Sequence, residues 1–328
     1  MVRATKGARL GPAELLQAAA VARRFYLDGR SKIEIADEFG LSRFKVARIL
    51  DDARASGLVR IEITTPAEID IERSEALRAA FDLHYAVVIS TPAEPESSLR
   101  AHLGRVAADL LSELVADDDV LGVGWGRTIN AISSALTDLA RCTVVQLSGA
   151  LTGMTVDESS VELVRRIGAV SGGLVYPIYA PLIVPDAATA AGLRQQPQVA
   201  EAIRHHDEIT KAIVAIGSWD PPNSQVRDAL SDPERARLEH DGVLAEVCGT
   251  FIDHDGQELA TPLAQRVISI TGEQLRSISE VVAVAGGPEK AAAIRAVICG
   301  RYATSLVTDQ SVADILLAQD AGKIPAGA

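Results

Sequence analysis

The stretch LSRFKVARIL, from Leu41 to Leu50, carries Arg43, Lys45 and Arg48 and no acid, in a chain whose formal net charge is −12. With Ser42 as an N-cap, Arg43 and Lys45 fall in the first turn of a helix. The positive pole of the helix dipole disfavours cations there. A polyanion lying against that turn would reverse the sign of the effect. On a wheel of about 100° per residue, Val46, Ile49, Leu50 and Ala53 share one apolar face. Phe44 and Arg48 point the opposite way as an i, i+4 pair, Lys45 and Ala47 flank them, and Arg43 lies at the edge of the apolar face. An aromatic ring among cations suits the edges of base pairs, where arginine binds guanine and an apolar group meets a thymine methyl. Taken singly, each of these residues is a solvated charge or a stray surface aromatic. Together they point to double-stranded DNA, contacted through Lys32, Ser42, Arg43, Phe44, Lys45, Ala47 and Arg48. Arg3, Lys6 and Arg9 form either a phosphate-touching arm or a merely solubilising tail.

A second chemistry-bearing stretch is VLGVGWGRTINAIS. Gly122, Gly124 and Gly126 let the backbone approach a ligand, and the amides opening the next helix favour an anion. Arg127 and Thr128 add a charge-assisted donor and a hydroxyl. The G-x-G-x-G spacing is not the dinucleotide fingerprint, and a tight strand-to-helix turn with no ligand accounts for the glycines equally well. Elsewhere, Glu246, Asp253 and Asp255 are near one another in sequence, and His205 and His206 precede Asp207. No nucleophile triad, H-E-x-x-H or metal spacing emerges from these. The histidine pair reads as a solvated helix end, and no catalytic residue, metal or cofactor is expected.

These residues need elements to hold them. Around the basic stretch, Pro12–Asp28 reads as a helix with a stripe of Leu15, Leu16, Ala19, Ala22, Arg23 and Tyr26. Ser31 and Glu34 form a capping box for a second helix ending at Phe39, and Gly40 stops it. Ser42 opens a third helix to about Ala55, and LVRIEIT alternates like a short strand. With Lys32 as position 1, Ile35, Ala36, Phe39, Gly40, Leu41, Val46 and Ile49 occupy positions 4, 5, 8, 9, 10, 15 and 18. Two helices crossing at a tight turn need a small residue, a glycine and apolar groups at such places, which defines a helix-turn-helix. A chance helical hairpin is the alternative. After Thr64-Thr65-Pro66 and a linking helix over 68–81, strand-like segments (AVVIS, DVLGVGW, CTVVQLS, LVYPIY, AIVAIGS, EVCGTFI, VVAVAG, SLVTD) alternate with helix-like ones. That alternation predicts βαβ units around a mainly parallel sheet.

Composition sets the outer limits. The chain has 328 residues, 48% hydrophobic and only 4% aromatic, so a core of Ala, Val, Leu and Ile is expected and global disorder is excluded. Residues 1–60 carry 12 Lys+Arg against 7 Asp+Glu, while the rest carries 20 against 37. A basic head on an acidic body means that only the head meets a polyanion. Cys142, Cys248 and Cys299 are scattered, which suits buried free thiols in a reducing cytoplasm. The longest uncharged run, Ile167 to Pro185, is broken by Pro177, Pro181 and Pro185, and reads as buried strand and loop, not a membrane span. The amino terminus lacks the apolar run of a signal peptide.

The segment VARRFYLDGRSKIEIADEFGLSRFKVARILDDARASGLVRIEI resembles the amino-terminal domain of SorC-type (DeoR-like) sugar-sensing transcriptional regulators. It departs at Phe44-Lys45, where many members carry Pro-Thr. GVGWGRT, VVQLSGAL, AIVAIGSWDPPNSQVRDAL, VLAEVCGTFIDHDGQEL and VVAVAGGPEKAAAIRAVICGRYATSLVTDQSVADILLA are similar, in order, to the effector domain of that family. The resemblance implies an all-α helix-turn-helix head with a short wing-like strand, and a doubly wound α/β body like the sugar-phosphate isomerase and deaminase fold. It implies operator DNA and a sugar, polyol or sugar-phosphate effector as partners, and a homotetramer built as a dimer of dimers. Effector contacts would come from Gly124, Gly126, Arg127, Thr128, Glu246 and Lys290. Ser148 stands where some phosphate-sensing members have arginine, which argues against a bisphosphate. The expected layout is residues 1–64 for the head, 65–84 for a linker helix, 85–320 for the effector and oligomerisation domain, and 321–328 for a flexible tail. A sugar-phosphate isomerase carrying a DNA-binding head is the enzyme-class alternative. A constitutive DNA-binding protein with an empty pocket is a third reading.

Overall fold

The computed structural model describes residues 11–59, 68–90, 96–151 and 159–320. The chain divides into two compact units, Met1–Thr64 and Thr65–Ala328. The first contains α1 (Pro12–Tyr26), α2 (Lys32–Phe39) and α3 (Arg43–Ala55). Local chemistry fixes each boundary. Pro12 opens α1, Ser31 and Glu34 cap α2 reciprocally, Gly40 closes it at φ 62°, and the Ser42 hydroxyl accepts from the Lys45 amide to start α3. Val21, Ala22, Ile35, Ala36, Val46 and Leu50 form the core, with Phe39, Leu41 and Ile49 packed against it. The buried face of α1 is Ala18, Val21 and Ala22, whereas Leu15 and Leu16 are exposed. The expected stripe was therefore out of phase: in so alanine-rich a helix, two faces satisfy the same spacing. The wing-like strand beyond Val59, Arg3, Lys6, Arg9, the 64–66 boundary and the 321–328 tail lie outside the described residues.

The second unit opens with α4 (Ile71–Phe81), capped by Asp70. It then runs β1 (Tyr85–Ile89), α5 (Glu96–Leu114), β2 (Val120–Val123), α6 (Arg127–Ala135), β3 (Thr143–Gln146), α7 (Ser160–Ser171), β4 (Val175–Tyr176), α8 (Ala187–Arg194), α9 (Pro197–Arg204) and β5 (Lys211–Ala215). It finishes with β6 (Gly217–Ser218), α10 (Gln225–Asp228), α11 (Asp232–His240), β7 (Ala245–Val247), β8 (Thr250–Ile252), α12 (Gly272–Ser277), β9 (Glu280–Val284), α13 (Ala291–Cys299), β10 (Ser305–Asp309) and α14 (Gln310–Asp320). Seven parallel strands form one sheet in the order β1-β10-β9-β5-β2-β3-β4. Alternate side chains feed two cores. Leu121, Val123, Ile213, Val282 and Val284 meet α5, α6 and α7 on one face. Ala212, Val214, Val281, Ala283 and Leu306 meet α4, α13 and α14 on the other.

Chain order reverses between β2 and β5, the kind of switch point where open α/β sheets leave a crevice beyond their carboxyl ends. A small antiparallel sheet, β6-β7-β8, stands beside it. EVCGTFI, expected as one strand, is a hairpin turning at Cys248 (φ 50°) and Gly249 (φ 79°). Positive φ at both central residues matches the twist of a two-residue hairpin, and Cys-Gly is not among the usual signals for it. Cys142 and Cys248 are buried, but Cys299, the last residue of α13, is exposed, contrary to the expectation for all three thiols. No described helix is long and apolar enough to cross a membrane.

Candidate functional site

In the first unit, the outward face of α3 presents Arg43, Phe44, Lys45 and Arg48, all exposed. Phe44 is 80% exposed, the most exposed large apolar side chain described. Arg43, Lys45 and Arg48 have no acidic partner among the described residues. The contrast with the rest of this unit is sharp: Arg24 and Arg30 both bind Glu38, at 3.0 and 2.7 Å. The cation that approaches the Phe44 ring is its neighbour Arg43, with Cζ 5.8 Å from the centroid, in place of the expected Arg48. Ala47 is half-buried. Lys32 turns its ammonium toward the Phe25 ring, 5.6 Å away. Ser42 is engaged as the α3 cap.

In the second unit, the loops after β2, β5 and β9 enclose a cavity with α5 and the small sheet. Gly126, Arg127, Thr128, Glu246 and Lys290 all line it. Gly126, at φ 122°, is the N-cap of α6, so the free amides of that helix start at the cavity wall. Arg127 donates from Nη2 to Asn223 Oδ1 at 2.7 Å. Glu246 is 6% exposed; Ser224 Oγ donates to its Oε2 at 3.2 Å and the Gly249 amide to its Oε1 at 2.9 Å. Burial pushes the Glu246 carboxyl up from its ordinary value, against those bonds and the charge of Lys290. Lys290 ends a 3-10 turn, Pro288–Lys290, and donates from Nζ to the Ile216 carbonyl at 3.1 Å. Desolvation first, then the nearby Arg127, holds its ammonium down at about 8.

Gly124 is not at the cavity wall. Its amide bonds to the Ile213 carbonyl at 2.9 Å, and a Cβ there would meet that oxygen at 3.1 Å, so it serves close strand packing. Asn223, Ser224, Glu96 and Arg100, absent from the expected effector contacts, also line the cavity. The uncharged polar run Asn223-Ser224-Gln225, just after Pro221-Pro222, is the sequence signal for the first pair. Asp253 and Asp255 do not join Glu246. They lie with His254 in a turn after β8, where Asp253 Oδ1 accepts the Asp255 and Gln257 amides. His205 and His206 are not solvated: they are 9% and 2% exposed. His205 packs on Tyr176, with ring centroids 3.8 Å apart. His206 Nε2 reaches the Gln146 carbonyl at 3.0 Å. The 3-10 turn His205–Glu208 packs them inward as the chain enters β5.

Residues 65–318 match a family model described as "Putative sugar-binding domain". The transcriptional regulator LsrR of Escherichia coli K12 is 30% identical over 314 residues, spanning 94% of this chain and 96% of its own. YjhU of the same organism, an uncharacterized transcriptional regulator, is 28% identical over 305 residues, 90% of this chain and 92% of its own. The full-length sorbitol operon regulator SorC of Klebsiella pneumoniae superposes with a TM-score of 0.72 at 23% identity, over 93% of this chain and 99% of that one. That last likeness shows a shared fold. With three quarters of the chain inside the family model and a relative aligned over more than nine tenths of both chains, the chain belongs to the SorC-type (DeoR-like) family of sugar-binding transcriptional regulators.

Proposed function

We propose that this protein is a cytoplasmic regulator of a carbohydrate-utilisation operon, whose affinity for operator DNA is set by a sugar, polyol or sugar phosphate. Residues 1–64 are the DNA-binding head, 65–84 the linker, 85–320 the effector and oligomerisation domain, and 321–328 a tail. The α/β body is read as a relative of the sugar-phosphate isomerase and deaminase fold, here without catalysis. Residues of α3 enter the major groove: Arg43, Phe44 and Arg48 at base edges, Lys45 and Lys32 at phosphates, with Ser42 and Ala47 alongside. Heads paired within a dimer of dimers read a near-palindromic operator. Effector binding shifts the heads through α4, because only differential affinity for two arrangements changes occupancy.

The observation that carries the reading is the cavity at the sheet's switch point. There Arg127, Lys290 and the α6 amides supply donors for an anion or hydroxyls, and buried Glu246 supplies an acceptor. Gly126 and Thr128 shape the wall beside them, and Gly124 supports it from behind. The test is a thermal-shift screen of sugars, polyols and their phosphates, followed by DNA retention with and without each hit, since a ligand of the native state raises its stability by mass action. Absence of sequence-selective DNA retention at moderate salt would sink the regulator reading. One observation favours an isomerase: Lys290 held near 8 and a buried carboxyl in one cavity are the perturbed groups that acid–base chemistry uses. Turnover of a sugar phosphate at enzyme-like rates would establish it.

A further inference from the structure

Asp309 ends β10 and is 3% exposed. Among the described residues no cation pairs with it, and its oxygens are held by hydrogen bonds alone. Burying an acidic side chain without a cationic partner is costly and calls for a reason. Capping α14 is half of one: Oδ1 accepts the Ser311 amide at 2.9 Å, the Ser311 hydroxyl, and the Val312 amide at 3.4 Å. Serine or asparagine would cap equally well. What they would lack is a second acceptor oxygen facing the other way. Oδ2 accepts the Gly287 amide at 2.7 Å, across the carboxyl ends of β9 and β10. The opposite wall is shaped to receive it. A Cβ on Gly286 would stand 2.8 Å from Oδ2, and Gly287 takes φ 98°, a conformation that side chains resist. The Gly287 carbonyl then accepts the Lys290 amide at 3.0 Å, which closes the turn that aims Lys290 at the Ile216 carbonyl.

We propose that Asp309 is a positioning residue for the effector cavity: by gripping Gly287 it fixes the turn that places Lys290. The inference rests on the reading of Lys290 as an effector contact, but its test needs no effector, so the two can fail separately. The Lys290 ammonium is faced by Arg127 of α6, Arg100 and Glu96 of α5, Glu289 of its own turn and Glu246 of β7. Its titration therefore reports where the amine sits. A loosened turn would release it to water, and its midpoint would climb toward that of an ordinary lysine.

The experiment is pH-dependent amine labelling of the full-length protein, with Lys290 resolved by peptide mass spectrometry, in wild type, Asp309→Asn, Asp309→Ala and Ser311→Ala. The wild-type midpoint is expected at about 8. It should rise by more than about one unit in both Asp309 variants. Ser311→Ala removes a capping partner and leaves Gly287 held, so its midpoint should match wild type. An unchanged midpoint in a folded Asp309 variant overturns the proposal, as does an equal rise in Ser311→Ala. If neither Asp309 variant folds, amide exchange in the wild type decides. Gly287 protected like the core amides of α13 supports the grip; exchange at an open-loop rate refutes it.

Discussion

At the scale of single residues, the α3 surface separates two jobs that one helix face can combine. On the proposed reading, Phe44, exposed and uncharged, contributes to binding through shape against a base edge. Lys45 offers little but charge. Phe44→Ala should therefore reduce discrimination between operator and non-operator DNA. Lys45→Ala should weaken binding to both and lower the slope of affinity against salt by about one. Titration by fluorescence anisotropy at several salt concentrations checks both, and an equal loss on all sequences for Phe44→Ala would refute its assignment. A buried histidine gives a second prediction at this scale. His206 Nε2 must carry the proton that it donates to Gln146, so Nδ1 is a bare lone pair with no partner among the described residues. Burial depresses its folded-state pKa below the ordinary 6.5. The unfolded chain then binds the extra proton first. The stabilisation is complete above pH 6.5 and is lost as pH falls through the depressed folded value. Urea midpoints should fall on acidification in this window, and less steeply in His206→Gln, which keeps the donor to Gln146.

At the scale of elements, the sequence carried the parts whose signals are local. The capping box of α2, the glycine stop, the Ser42 cap and the strand-and-helix alternation of the body depend on neighbours within a few residues. What escaped depends on distant partners. The phase of α1 is set by what α2 and α3 press against it, and its alanines fit either face. The burial of His205 and His206 follows from Tyr176 and Gln146, which arrive from other strands. The hairpin at Cys248-Gly249 needs β6 beside it before its register has meaning. That sheet also explains one glycine. Gly217 pairs with Glu246 across β6 and β7, and a Cβ there would lie 2.6 Å from Glu246 Oε2 and 2.9 Å from Ser224 Oγ. The expected outcome for Gly217→Ala is a folded protein, destabilised by about 1–3 kcal/mol through overpacking. Because the carboxylate is pushed off its Ser224 donor, the variant should also lose the thermal shift given by the best compound of the effector screen. An unaltered shift would show that Glu246 does not need this place.

At the scale of the whole molecule, the uneven charge divides the chain into a net basic part, residues 1–60, and a net acidic remainder. What composition could not say is how the body would pass a signal on. The helix expected to act as a linker is seated on the body: Leu77 is fully buried, and the Ser74 hydroxyl accepts the Val88 amide of β1 at 2.9 Å. Arg73 ties the start of α4 to α14, reaching Asp314 at 2.7 Å and its own cap Asp70 at 2.6 Å. The same helix is capped at its start by Asp309, which holds the Gly287 amide of the Lys290 turn. A continuous set of contacts thus runs from the cavity to the first helix after the 60–67 segment. That continuity makes a sharp prediction. In Arg73→Ala, Leu77 and Ser74 still hold α4, so the fold and the effector-induced thermal shift should match wild type. The effect of the same compound on DNA affinity should shrink, because the ion pair between α4 and α14 is cut while the cavity is intact. Measuring both quantities on one preparation separates the cases. If the thermal shift and the change in DNA affinity both survive, the signal does not pass through Arg73. If both vanish, the arginine supports the cavity itself. Only loss of the second with retention of the first marks α4 as the lever.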